Sequence, residues 1–311
     1  CPWSYLGERL LEVVPAEDPS QQLEMSAMTR GSLVHEVLER FVSEVLARPP
    51  GRRPAPAEPW SAGDHARIRA IAAEVCAEYE AQGVTGRPVF WRRDRAQVVA
   101  LADRFLFEDD RHRSASGTRP AAAEHAFGVH PDGPPPVRIP LPDGRSLSLR
   151  GAIDRIDEGP AGLVVLDYKT GTPAPYSGLS ADAPDGGGTH LQLVVYAFAA
   201  RARAGDPAAP VRSEYWFVSD RGGFAHRGYA VDDGVVARVT TTLGTIVRGI
   251  EEGRFPHHPV DGGGPFVTCP WCDPDGLGVA EARRGWERMR HDPALAPYAQ
   301  LTEPLGEGAA G

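Results

Sequence analysis

Lysine is almost missing from this chain of 311 residues, which contains 32 arginines and a single lysine, Lys169. A guanidinium spreads its charge over a planar group and does not release its proton in a protein, whereas an amine is a compact charge that can orient or deprotonate a water molecule. The one position that keeps a lysine is therefore a candidate for chemistry that requires an amine. The lysine alone is equally compatible with chance, so the neighbouring residues must decide between chance and a chemical role.

Long apolar runs, cysteines and excess positive charge are also scarce. No segment approaches the roughly 18 apolar residues of a membrane span, so no membrane partner is expected. A net charge of −9 argues against a protein that coats nucleic acid, although arginines could still line a local basic cleft. Four cysteines without a secretory segment favour reduced thiols or metal ligands and a cytoplasmic location. Because the chain opens at Cys1 rather than at a methionine, we expect it to be a segment of a longer protein.

The spacing of apolar residues predicts helices first and strands later. Three N-terminal helices are expected over residues 31–48, 62–82 and about 90–108, with a proline-rich linker at 49–60 and a loop at 109–120. Segments rich in branched residues then predict an antiparallel meander at 121–130, 136–141, 145–157 and 162–168. A helix at about 188–204, strands at 213–218 and 223–231 and a helix at 233–253 follow. This order predicts one α/β core with an N-terminal helical elaboration rather than two domains.

Two aspartates fall close to Lys169 in the predicted strands. Asp154 lies in "GAIDRID" and Asp167 in "LDYKTG", and only the turn "EGPAG" separates the two segments. Strands joined by so short a turn must pair, and residues at i and i+2 of a strand point to the same face, so Asp167 and Lys169 should converge with Asp154. Carboxylates at close range repel each other unless a cation lies between them, and oxygen ligands suit Mg²⁺ or Mn²⁺. The alternative is that both aspartates are solvated at strand ends.

The sequence resembles the PD-(D/E)XK nuclease superfamily and, within it, nuclease domains of the RecB and AddB type. Asp154 followed by "DYK" is similar to the acids and the lysine of that superfamily. "GSLVHEVLERF" resembles the helix that carries a histidine, here His35, and "QLVVY" resembles a Gln-x-x-x-Tyr helix, here Gln192 and Tyr196. "GAIDRIDE" and "LVVLDYKTG" resemble the two strand motifs. The five motifs occur in family order from Cys1 to about residue 290.

The resemblance implies a fold. A restriction-endonuclease-like core is expected, in which a central mixed sheet is flanked by helices, with a cysteine-containing loop near the C-terminus. One nuclease domain would span residues 1–296, with a helical part to about residue 110 and a catalytic α/β core at about 120–255. The cysteine loop and a helical tail would occupy residues 256–296, and residues 297–311 are expected to be disordered.

The resemblance also implies metal-dependent hydrolysis of DNA, exonucleolytic or endonucleolytic. Asp154 and Asp167 would bind Mg²⁺ or Mn²⁺, together with the backbone carbonyl of Tyr168 and with His35. Lys169 would position or activate the attacking water, or stabilise charge in the transition state. The two residues of the helix motif would contact the DNA backbone; they are Gln192 and Tyr196.

Three further residues have open roles. Glu124 matches an acid found upstream of the first aspartate in the family, although an acid at a strand end is more often solvated. Arg155 could pair with a carboxylate or reach a phosphate. Cys76 occupies a helical position and is expected to be a small core residue.

The other three cysteines resemble ligands of a [4Fe–4S] cluster in AddB-type nucleases: Cys1, and the pair Cys269 and Cys272 in "CPWC". The sequence departs from the family pattern where a last cysteine is expected, because the chain there reads "DPDGLG". The site could hold an iron–sulfur cluster or zinc with a fourth ligand from another residue, or it could be vestigial. The candidates for that ligand are Asp273, Asp275, His257 and His258.

The leading interpretation is a DNA nuclease domain that trims single-stranded ends together with an ATP-dependent helicase in recombinational repair. This stretch contains no G-x-x-x-x-G-K-[ST] phosphate loop, so the helicase would be another segment or another chain. Two alternatives stay open. One is a non-catalytic DNA-binding or scaffold module on the same fold, and the other is a stand-alone exonuclease of the phage or CRISPR type.

Overall fold

A mixed β-sheet with helices on both faces organises the part of the chain that the computed structural model describes, residues 1–13, 23–259, 271–273 and 278–302. The strands in these residues are β1 Arg119–Phe127, β2 Val137–Pro140, β3 Ser146–Leu149, β4 Gly151–Gly159, β5 Gly162–Lys169, β6 Val211–Phe217 and β7 His226–Ala230. Five of them form a sheet of order β1-β4-β5-β6-β7. Within that sheet β5 and β6 are parallel and the other neighbours are antiparallel.

The α-helices in the described residues are α1 Pro2–Tyr5, α2 Ala27–Ala47, α3 Ala62–Ala81, α4 Pro88–Ser116, α5 Gln192–Ala204, α6 Asp233–Glu251, α7 Ala280–Met289 and α8 Ala296–Thr302. Local signals set their starts. The hydroxyl of Ser26 accepts the Thr29 N–H at 3.0 Å at the start of α2, and Ser61 and Asp64 cap α3 reciprocally. Helix α5 is the crossover that a parallel pair such as β5 and β6 requires.

The sheet separates two hydrophobic cores. On one face, α2, α3 and α4 pack against alternate residues of the central strands, including Leu166 and Trp216. On the other face, α5, α6 and the hairpin of β2 and β3 cover Val165 and Tyr215. Because side chains alternate along a strand, Asp167 lies on the same face as Val165, next to α5. A mixed sheet between helical layers, preceded by helices, confirms the expected fold class.

Helix α4 is longer than the sequence predicted. The expected loop at 109–120 is wrong for residues 109–116, which continue the helix to Ser116. Their many charges suggested solvent, but the side chains of Asp109 and Arg113 are fully buried and form an ion pair of 3.0 Å one helical turn apart. Gly117 then ends the helix with a left-handed φ of 66°, a conformation that costs glycine little.

The predicted meander is wrong in its pairing. Strand β1 pairs with β4, and the two intervening strands pair only with each other. Ile139 and Leu141 of this hairpin are buried in the core that α5 helps to form, so the hairpin packs on a face of the sheet instead of extending it. Alternating patterns identify strands but not their partners.

The prediction of a disordered tail from residue 297 is wrong for residues 297–302. Residues 297–302 belong to α8, whose Tyr298 ring meets Trp286 edge-on at 5.6 Å; residues 303–311 lie outside the described part of the chain. The core position expected for Cys76 is confirmed, because its side chain is fully buried. None of the helices in the described ranges is both long and apolar enough to cross a bilayer.

Candidate metal centre

Asp154 is held by two neighbours at the junction of β4, β5 and α2. Its Oδ2 accepts the backbone N–H of Tyr168 at 2.6 Å, which fixes the carboxylate against the next strand. Its Oδ1 lies 3.3 Å from Nδ1 of His35. Packing of α2 against β1 and β4 therefore brings a helix histidine and a strand aspartate together, although 119 positions separate them in number.

Asp167 and Lys169 share the face of β5 that turns toward α5. The Asp167 side chain is 5 % exposed, and its Oδ2 contacts the ammonium of Lys169 without a hydrogen bond of normal geometry to any described residue. Burial raises the pKa of Asp167 to about 6; the charge of Lys169 opposes this rise and that of Asp154 adds to it. A buried carboxylate with a second carboxylate nearby is a position that a cation stabilises.

Glu124 adds a third acid from β1. Its two neighbours in β1 pair with the two neighbours of Asp154 in β4, so Glu124 faces Asp154 across the strands. Its φ of 41° is left-handed, which is unusual for a non-glycine residue in a strand and typical of functional sites. Burial, and then the charge of Asp154, raise the pKa of this carboxyl. Ligand atoms of His35, Glu124 and Asp154 all lie within 4.8 Å of one another.

His35 faces the acids of the site from α2. Burial alone would lower its pKa, but the hydrogen bond to Asp154 and the charges of Asp154 and Asp167 raise it above the ordinary value. Carboxylates with an imidazole can hold Mg²⁺ or Mn²⁺, and a ligating imidazole must be neutral. The donor set therefore fits a divalent ion, which would bind the neutral form of His35.

Tyr168 lies between the two residues of the motif but points its ring to the opposite face. The ring is buried against Phe105 and Trp216, with centroid separations of 5.8 and 5.9 Å. Tyr168 therefore contributes to the candidate metal centre through its backbone, whose N–H donates to Asp154. Its carbonyl as a metal ligand stays a prediction.

Gln192 and Tyr196 meet Lys169 from the first turns of α5. The Lys169 ammonium donates to Oε1 of Gln192 at 3.4 Å, and the Gln192 amide donates to the Tyr196 hydroxyl at 3.3 Å. Gln192 is exposed, whereas Tyr196 is buried and packs edge-on against Phe127 at 6.2 Å. Of the two, Gln192 is the side chain that a ligand in solvent can reach.

Arg155 takes no part in the centre. Its guanidinium is fully buried on the opposite face of the sheet, where it bonds Asp157 and Asp109, the latter at 2.6 Å. Burial alone would lower its pKa, but these two carboxylates hold it well above the ordinary value. Of the two roles open from the sequence, Arg155 has the first, an ion pair with carboxylates.

Tyr215 is a neighbour of the site that sequence reasoning missed. It pairs with Asp167 across the parallel strands, and the Lys169 ammonium lies 5.0 Å from the centre of its ring. A cation over an aromatic face is attracted by the ring electrons. The only signal in the sequence was the pattern of β6 itself, which does not reveal its partner strand.

An open cleft of about 740 Å³ leads to the centre. Helix α2 forms one wall and the end of β5 another, with polar side chains on both. An open, polar cleft suits part of a polymer better than an enclosed small molecule. The charged and imidazole side chains along it include His35, Glu36, Glu39, Arg40, Glu124 and Lys169.

The N-terminal segment contacts the cysteine loop directly. The indole N–H of Trp3 donates to the carbonyl of Trp271 at 2.8 Å, and a Cβ on Gly7 would lie only 2.6 Å from the Trp271 ring. Cys1 is exposed and Cys272 is buried. Cys269 and Asp275, named from the sequence as possible ligands, lie outside the described residues.

The chain is similar in sequence to a known protein family and to several known proteins. The family model of the PD-(D/E)XK nuclease superfamily matches residues 1–275. An ATP-dependent helicase/deoxyribonuclease subunit of Lacticaseibacillus casei is 28% identical over 211 residues, covering 65% of this chain and 17% of that protein. The corresponding proteins of Geobacillus kaustophilus and Symbiobacterium thermophilum are 32% identical over 138 residues and 39% identical over 102 residues. Those alignments cover 42% and 30% of this chain, and 11% and 8% of the two relatives.

The chain thus spans less than a fifth of the length of these relatives, and its similarity to them is distant. The family match is broader, since it extends over most of the chain. It includes every strand of the sheet and the helix that carries His35. Because the same residues that assemble the acids, the lysine and the histidine lie inside that match, the chain belongs to the PD-(D/E)XK nuclease superfamily.

Proposed function

We propose that this domain is a metal-dependent deoxyribonuclease that hydrolyses phosphodiester bonds of DNA. One observation carries the proposal. Ligand atoms of His35, Glu124 and Asp154 lie within 4.8 Å of one another, beside the contacting pair Asp167 and Lys169, on an open cleft. Acids paired with an amine at a solvent-accessible cleft suit hydrolysis of a phosphodiester, and membership of a nuclease superfamily supports that substrate class.

Mg²⁺ or Mn²⁺ would be held by Asp154, Asp167, His35 and the carbonyl of Tyr168, and Glu124 is close enough to Asp154 to join them. When bound, such an ion polarises a phosphoryl oxygen and acidifies water. The protein fixes the ligands in advance. The N–H of Tyr168 holds one oxygen of Asp154, and His35 faces the other.

Lys169 would act on the attacking water or on the phosphate oxygens. Its ammonium touches Asp167, donates to Gln192 and lies over Tyr215, so three neighbours restrict where it can point. A positioned ammonium can orient a water for attack and stabilise negative charge that develops on phosphate. Gln192, which is exposed, would contact the DNA backbone, and Tyr196 would hold Gln192 in place.

The domain would act on single-stranded DNA ends together with an ATP-dependent helicase, in end processing and recombinational repair. Its similarity to helicase/deoxyribonuclease subunits supports this partner. The net charge of −9 and the acids Glu36 and Glu39 along the cleft predict weak, salt-sensitive DNA binding by the domain alone. A helicase that delivers the strand would overcome that weakness.

The cysteines would hold a [4Fe–4S] cluster or zinc that joins the two ends of the domain. Cys1 and Cys272 belong to segments that touch through Trp3 and Trp271, which supports such a clamp. Among the candidates for the missing fourth ligand, His257 is favoured. Its ring stacks on Trp3 at 4.7 Å, and its buried Nε2 has no hydrogen-bond partner among the described residues.

Cleavage of end-labelled single- and double-stranded DNA, with Mg²⁺ or Mn²⁺, tests the proposed function. Wild type should cut, and Asp154→Asn and Lys169→Ala should lose activity by about 10²-fold or more, the usual cost of removing one group that stabilises a transition state. Asp143→Asn is the matched control, because Asp143 is an exposed acid that pairs with Arg145 and is not one of the candidate metal ligands. Equal cutting by wild type and both site variants would refute the enzyme and leave the scaffold interpretation.

A further inference from the structure

A second group of metal-binding side chains lies outside the nuclease site, where the end of α4 meets β6 and β7. Its members are His112, Glu214 and His226, and their ligand atoms lie within 4.8 Å of one another. None of them belongs to the motifs or to the metal centre described above. Their side chains are 10 %, 8 % and 28 % exposed, so the group is shielded from solvent but reachable past His226.

Glu214 is already aimed at His226. Its Oε2 lies 2.8 Å from Nδ1 of His226, while its other oxygen contacts the guanidinium of Arg212. Arg212 therefore fixes the carboxylate from one side and leaves the second oxygen directed into the group. A hydrogen links Glu214 to His226 in the metal-free protein, and a metal ion could take the place of that hydrogen.

One ring nitrogen of His112 lacks a hydrogen-bond partner among the described residues. Its Nε2 is buried and makes no hydrogen bond to any residue in the described ranges; Oδ2 of Asp157 lies 3.8 Å away. Ligating histidines usually bind the ion through one ring nitrogen and direct the other at a carboxylate. The Asp157 carboxylate near the buried Nε2 of His112 is the kind of neighbour that a ligating histidine needs.

The two imidazole rings are stacked, and this stack must open for both to bind one ion. Their centroids are 4.9 Å apart with 5° between the planes, and the Trp216 ring lies beside both. Lone pairs of parallel rings lie in separate planes and cannot meet at one point. His226 is the ring that can turn, because it is the more exposed of the two and lies on the edge strand of the sheet.

We propose that His112, Glu214 and His226 bind one transition-metal ion of the Zn²⁺ class, with His226 turned out of the stack and a water molecule as the fourth ligand. Two imidazoles and one carboxylate suit Zn²⁺ or Co²⁺ better than Mg²⁺, which prefers a ligand set made mostly of oxygen atoms. The proton between Glu214 and His226 moves to the other ring nitrogen or to water. The bound ion ties the end of α4 to β6 and β7.

Equilibrium dialysis against Zn²⁺ and titration with Co²⁺, followed by visible absorption, test the site in the full chain. The background protein carries Asp154→Asn, Cys1→Ser, Cys269→Ser and Cys272→Ser, so that neither the nuclease centre nor the proposed cysteine site is intact. We expect one tightly bound ion per chain in this background. His226→Phe keeps a ring beside Trp216 but removes the nitrogens, and should weaken the affinity at least 100-fold.

Glu214→Gln provides a second test that leaves the ring stack intact, and should also weaken binding at least 10-fold. His125→Phe is the matched control, because His125 is a half-buried strand histidine outside the group, and its affinity should equal that of the background. No bound ion in the background protein overturns the proposal. Equal affinity in the background, His226→Phe and Glu214→Gln overturns it as well.

Discussion

Strand β4 carries charged side chains on both faces, and the two sets of charges are balanced in opposite ways. On the face toward α4, Arg155 and Asp157 join Asp109 and Arg113 in a buried ion network. Every one of these four side chains is fully buried and meets an opposite charge. On the other side, Asp154 belongs to the metal centre, where carboxylates outnumber the single lysine.

The balanced charges of the ion network stabilise the fold, whereas the excess of acids around Asp154 is suited to binding a cation. In the ion network two arginines face two aspartates, and Arg113 also donates to the backbone carbonyls of Ala55 and Glu58 at 2.8 Å. The network thereby anchors the proline-rich linker to α4. In the candidate metal centre, burial and the nearby charge of Asp154 disfavour the charged forms of Glu124 and Asp167, which a cation would stabilise.

Breaking the ion network should have the largest effect on stability. Arg155→Met leaves Asp157 as a buried charge without its main partner, which typically costs about 3–5 kcal/mol. Chemical denaturation should therefore show a large fall in the free energy of unfolding. The adjacent residue in the metal centre provides the contrast: Asp154→Asn should change stability by no more than about 1 kcal/mol. Similar losses in both variants would contradict the distinction between the two faces.

Exchanging the amine for a guanidinium should have the next largest effect. Lys169→Arg keeps the positive charge beside Asp167 but not the compact donor, so cleavage of labelled DNA should fall by about 10²-fold or more. The thermal unfolding temperature should stay close to that of wild type, because the ion pair is retained. Full activity in Lys169→Arg would show that charge alone suffices, and the single lysine would then carry no special chemistry.

The proximity of the candidate metal ligands was easier to predict than the fold around them, for physical reasons. A short turn forces β4 and β5 to pair, so the proximity of Asp154 to Asp167 follows from local sequence. Glu124 reaches the same point through pairing of β1 with β4, across an inserted hairpin that no local pattern reveals. The buried charges of α4 led to a wrong loop prediction for a similar reason. Asp109 is stabilised by Arg155, which lies 46 residues away in the sequence.

Removing the buried charge of Asp167 should stabilise the metal-free protein. Its folded-state pKa of about 6 lies above the ordinary value of an aspartate near 4, so the folded protein binds this proton more tightly than the unfolded chain. Stability is therefore lost as the pH rises from about 4 to 6, and the loss is complete above the folded pKa. Asp167→Asn should recover about 1–3 kcal/mol at pH 8 in the presence of a chelator.

Unfolding curves at two pH values test whether Asp167→Asn raises the free energy of unfolding as expected. The advantage of Asp167→Asn over wild type should be present at pH 8 and should vanish below about pH 4, where Asp167 is protonated in both states. Saturating Mn²⁺ should reduce or reverse the advantage at pH 8, because the ion stabilises only a protein that can bind it. An advantage that is equal at both pH values would mean that burial of charge is not its cause.

Removing the aromatic ring of Tyr215 beside Lys169 should have the smallest effect on DNA cleavage. Tyr215→Leu removes the ring that lies 5.0 Å from the ammonium, whereas Tyr215→Phe keeps it. A cation over a ring contributes about 0.5–2 kcal/mol, so kcat for DNA cleavage should fall about 2- to 30-fold in Tyr215→Leu and little in Tyr215→Phe. Phe217→Leu is the matched control, since Phe217 is a buried ring on the same face of β6. A loss of packing alone would slow Phe217→Leu as much as Tyr215→Leu, whereas a positioning role slows only the variant in which the ammonium has lost its ring.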